Sequence, residues 1–65
     1  MKFTLEEIWI IRSIKSKDKE KILNELKTIR RKIDDPSIVE MANNAIEKLN
    51  KATDEEFLEV LNYPL

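Results

Sequence analysis

The 65-residue chain contains no glycine. Glycine reaches positive φ without a steric penalty, so tight primed hairpin turns and loops that cradle phosphate depend on it. Its absence argues against a P-loop, a dinucleotide-binding fingerprint and a hairpin-rich β fold together. Helix is what remains favoured, and the abundance of Lys, Glu, Leu and Ile supports it. A chain this short builds one core, so residues 1–65 are read as a single domain.

The helix boundaries follow from local chemistry. In Phe3-Thr4-Leu5-Glu6-Glu7-Ile8, Thr4 can cap the free amides of a first turn and Glu7 stands where a capping box places its carboxylate. Phe3 and Ile8 are spaced as a hydrophobic staple, and this helix is expected to run from Leu5 to Ile14 or Lys15. The polar string Lys15-Ser16-Lys17-Asp18 then reads as a break. Ile22, Leu26, Ile29 and Ile33 form one stripe of a second helix ending near Ile33. Asp35 offers an N-cap carboxylate and Pro36 a first helical residue whose missing N–H does no harm. The third helix carries Ile38, Ala42, Ala45 and Leu49 on its apolar side, with Val39, Met41 and Ile46 beside them. Thr53 and Glu56 make a second capping box, Phe57, Leu58, Val60 and Leu61 the apolar face of a fourth helix, and Tyr63-Pro64 its stop. The expected architecture is all-α: a small antiparallel helical bundle of three longer helices plus a short C-terminal helix.

Chemistry is constrained as strongly. The chain has neither Cys nor His, which removes the usual zinc ligands, thiol nucleophiles and imidazole acid–base catalysis. Asp54, Glu55, Glu56 and Glu59 could be drawn as a magnesium site, but a helix first turn attracts carboxylates through its dipole alone. The chain is therefore expected not to be an enzyme and to carry no cofactor or metal. Its longest apolar run, Ile8 to Ile11, is far too short to span a bilayer, and the opening residues show no signal-like hydrophobic region. A cytoplasmic location is expected.

Charge is unevenly distributed. Residues 1–32 hold ten Lys and Arg against five Asp and Glu, residues 33–65 two against eight, which together give the net charge of −1. The simpler reading is that basic and acidic halves pack beside each other in one bundle. The alternative is a basic nucleic-acid face centred on Lys27, Arg30 and Arg31. These three also suit the end of a helix, where cations complement the dipole, and Asp34 and Asp35 lie four residues beyond Arg30 and Arg31 as local partners. A helix-turn-helix reading with Asn43 and Asn44 on the reading face is weakened by Glu40 and Glu47 on the same surface.

The first helix is the least one-sided. Placed at about 100° per residue, Leu5, Ile8, Trp9, Ile10, Ile11 and Ile14 sweep well over half its circumference. Either this helix is the centre of the bundle, or Trp9 and Ile10 are left as a surface for a partner or a second copy. The central position is the favoured reading, with Trp9 more peripheral than Ile8 or Ile11.

The opening Phe3 to Ile8, the middle Asp35-Pro36-Ser37-Ile38-Val39-Glu40-Met41-Ala42 and the closing Thr53 to Pro64 occur in this order in one family. The chain resembles the transposon-transfer assisting proteins, small proteins carried on conjugative transposons of Firmicutes. That resemblance covers nearly the whole sequence and implies a role accessory to transfer of a mobile element; the expected partner is an unidentified protein, a mobile-element transfer protein being one candidate. It implies no catalytic residues. The expected function is a non-catalytic protein–protein interaction module; the alternative is a small nucleic-acid-binding or transcription-modulating protein using the basic second helix.

Overall fold

The computed structural model describes residues 3–64, over which the chain forms α1 (Leu5–Ser13), α2 (Lys19–Lys32), α3 (Pro36–Lys51) and α4 (Asp54–Asn62). The all-α expectation holds. The proportions differ: the helices are 9, 14, 16 and 9 residues long, so α1 is as short as α4.

Every helix start is capped by its own sequence. Thr4 Oγ1 accepts from the Glu7 amide at 3.2 Å while Glu7 Oε1 accepts from the Thr4 amide at 2.9 Å, and Thr53 with Glu56 repeats both distances. Asp35 Oδ1 accepts from the Ser37 amide at 2.9 Å, with Pro36 opening the helix. Asp18, read above as part of a break, is the N-cap of α2 and accepts from the Glu20 amide at 3.1 Å. Thr4→Ala and Thr53→Ala should each lower stability by about 1 kcal/mol. Chemical denaturation checks this, and an unchanged midpoint in both variants would contradict the capping role.

The helix ends show how a chain without glycine stops a helix. A common stop is an αL residue, usually glycine. Here the caps of α2, α3 and α4, Ile33, Ala52 and Tyr63, are extended instead, with ψ of 131°, 142° and 129°. Among the described residues, only after α1 does the backbone enter the left-handed region, at Lys15 with φ 57°. That helix stops at Ser13 rather than at Ile14 or Lys15. The Ile14 and Lys15 amides bond to carbonyls three residues back, at 3.3 and 3.2 Å, and the Ser13 hydroxyl donates to the Ile10 carbonyl at 2.6 Å. The last turn is thereby tightened out of α geometry.

Carbonyls at two of these ends are met by cations from far along the chain. Lys19 Nζ donates to the Ala52 carbonyl at 3.1 Å, and the Arg12 guanidinium to the carbonyls of Val60 and Tyr63. The Lys19 contact sets the start of α2 beside the end of α3, so these two helices pack antiparallel. Helix α4 runs in the same sense as α1, from Phe3 and Glu56 at one end to Arg12 and Tyr63 at the other.

The core takes Phe3, then Ile8, Ile10 and Ile11 from α1, Ile22 and Leu26 from α2, Ala42, Ala45, Ile46 and Leu49 from α3, and Phe57 and Val60 from α4. Helix α1 packs on both α3 and α4 and α3 on both α1 and α2, so the central place expected of α1 is shared with α3. The predicted stripes of α2 and α3 face inward, with Ile29, Ile33 and Ile38 half-buried at their margins.

Candidate docking surface

Trp9 and Ile10, proposed together as a partner surface, are separated by the fold. Ile10 is buried at 3% exposure, whereas Trp9 is 60% exposed. Adjacent residues on a helix point about 100° apart, so one neighbouring helix can cover one and miss the other. Ile10 therefore leaves the candidate surface. Leu5, one turn before Trp9, takes its place at 61% exposure.

Leu5, Glu6 and Trp9 of α1 and Met41 of α3 line a shallow depression of about 320 Å³. Two helices hold it, and the capped first turn of α1 orients Leu5 and Glu6. Neither Leu5 nor Met41 was singled out as a site residue from the sequence. The signal there was only the membership of Leu5 in an apolar sweep too wide for one contact, and the place of Met41 beside the apolar side of the third helix.

Behind this surface lies the one buried charged residue among those described, Glu7, at 4% exposure. Its carboxylate accepts from Lys48 Nζ of α3 at 2.7 Å as well as from the Thr4 amide. One side chain thus closes the capping box and ties α1 to α3. Among the described residues no buried side-chain nitrogen or oxygen lacks a partner.

The basic trio of α2 lies outside this surface. Lys27, Arg30 and Arg31 are exposed, and Arg30 donates to Asn43 Oδ1 of α3 at 3.0 Å. The local pairs Arg30 with Asp34 and Arg31 with Asp35 are not made among the described residues. The reason is positional: α2 ends at Lys32, so residues 34 and 35 leave the helical register, and Asp35 is spent capping α3.

The two charge halves do touch, through neutral oxygens and an ion pair of the reverse sense. Arg12, Lys19 and Arg30 cross to the other half to reach neutral oxygens. The ion pair between Glu7 and Lys48 runs against the asymmetry, with the acid from the basic half. Asp54, Glu55 and Glu56 occupy the first turn of α4, and no cluster of three or more carboxylates is placed to hold a metal among the described residues. No helix there is long and apolar enough to cross a membrane.

Residues 3–64 match the model of a family described as "Putative transposon-transfer assisting protein". No curated protein and no solved structure matches the chain.

Proposed function

We propose, for a chain that belongs to the transposon-transfer assisting protein family, that it assists transfer as a non-catalytic protein-docking module acting in the cytoplasm. The observation that carries this reading is the exposure of Trp9 and Leu5 beside Met41. A small domain has little apolar surface to spare, and large side chains left uncovered together are the usual mark of a contact site. Tryptophan concentrates binding energy at interfaces, and methionine repacks readily against varied partners. The lack of His and Cys supports a role without chemistry of its own.

The test is Trp9→Ala in donor cells that carry the element. Transfer frequency is expected to fall well below that of the native chain, while the purified variant keeps its helicity and unfolding midpoint. Native transfer with this variant would defeat the docking role of Trp9. If instead the native chain binds DNA below micromolar concentration in physiological salt, and Lys27→Glu with Arg31→Glu abolishes both that binding and transfer, the nucleic-acid reading replaces this one.

A further inference from the structure

The turn between α1 and α2 faces the last turns of α4 across a second opening, of about 420 Å³, lined by Arg12, Lys15, Ser16, Lys17, Leu58, Leu61 and Asn62. Three of these are cations and none is a carboxylate. The side chains of Lys15 and Lys17 make no hydrogen bond or ion pair among the described residues. Arg12 is held in place by the carbonyls of Val60 and Tyr63, which engage one of its terminal nitrogens and leave other guanidinium donors available. Opposite the cations stands an aliphatic wall, Leu61 half-buried and Leu58 54% exposed on a helix otherwise apolar only toward the core.

We infer that this groove docks an acidic peptide segment of a partner protein, one that carries carboxylates beside an aliphatic side chain. The carboxylates meet Arg12, Lys15 and Lys17, and the aliphatic group covers Leu58 and Leu61. A nucleic acid suits the groove less well on two counts. The apolar wall is aliphatic and offers no ring for a base to stack on. Glu55 and Glu59, exposed on α4 next to Leu58 and Asn62, repel any anion, but a peptide can set its carboxylates on the cation side alone, whereas a phosphate backbone carries a charge at every nucleotide. The surface around Trp9 is a different face, with Glu6 at its edge, so the groove stands or falls independently of it.

The backbone at Lys15 supplies a clean test. Its φ of 57° favours glycine, so Lys15→Gly should hold or raise the unfolding midpoint while removing a cation from the groove. The probe is a fluorescein-labelled amphipathic peptide of glutamates and leucines, titrated with the full chain by anisotropy, beside a counterpart with lysine in place of glutamate. The acidic peptide is expected to bind saturably, more weakly as salt rises, and the basic one not at all. Lys15→Gly with Lys17→Ser, and separately Leu58→Ser, should each weaken binding about tenfold or more without loss of stability. Equal binding of both peptides, unchanged affinity in these variants, or displacement of the acidic peptide by a single-stranded oligonucleotide would overturn the inference. So would self-association in sedimentation that Lys15→Gly or Leu58→Ser abolishes, since a second copy would then be the occupant.

Discussion

Ile11→Ala is expected to lower stability by about 2–5 kcal/mol, while Trp9→Ala, two residues earlier on the same helix, should cost under about 1 kcal/mol. Ile11 is 0% exposed where α1 meets its neighbours, so truncation removes transfer free energy and leaves a void that two packed helices cannot readily collapse. A domain of this length holds roughly 3–10 kcal/mol in total, which makes the Ile11 loss a large share of it. Trp9, at 60% exposure, has most of its ring in water already. Urea denaturation followed by circular dichroism compares the two directly. Similar losses for both would mean that Trp9 belongs to the core, and the docking role proposed for it would lose its support.

The second large effect concerns the pair that joins α1 to α3. Lys48→Met should lower stability by about 1–3 kcal/mol, because the Glu7 carboxylate, 5% exposed, stays buried after its cation is gone. The Lys48 side chain is 35% exposed, so screening by water places the effect in the lower part of that range. Lys51→Met is the control: Lys51 and Glu47 pair at 3.3 Å with side chains 77% and 68% exposed, and breaking them should cost a few tenths of a kcal/mol at most. Glu7→Leu combined with Lys48→Met is expected to recover part of the loss, since no unpaired charge then remains inside. A Lys48→Met variant no less stable than Lys51→Met would show that the buried carboxylate is not held by this lysine.

What the amino-acid sequence determined by itself is what depends on neighbours in the chain. The capping boxes at Thr4 and Thr53 and the Asp35 and Pro36 start formed as read, because a cap bonds to amides only two or three residues ahead. The family was legible for the same reason, since its segments are these helix starts and the closing Tyr63-Pro64. The apolar stripes of α2 and α3 were legible because a period of 3.6 residues depends on spacing alone.

Tertiary structure decided everything that required knowing which helix lies where. Trp9 and Ile10 are equally apolar neighbours, and only the placement of α3 and α4 buries one and leaves the other in water. Leu58, counted from its sequence with the apolar face of α4, is exposed because that helix buries only a narrow strip centred on Phe57 and Val60. Glu7 was readable as a capping residue, but its burial against Lys48 links positions 41 residues apart. Arg12 reaches carbonyls 48 and 51 residues away, and the groove beside it exists only because the α1–α2 turn and α4 end at the same place. Capping and periodicity are short-range and follow from the order of residues; burial, pairing and grooves are properties of surfaces brought together, which that order specifies only through the fold.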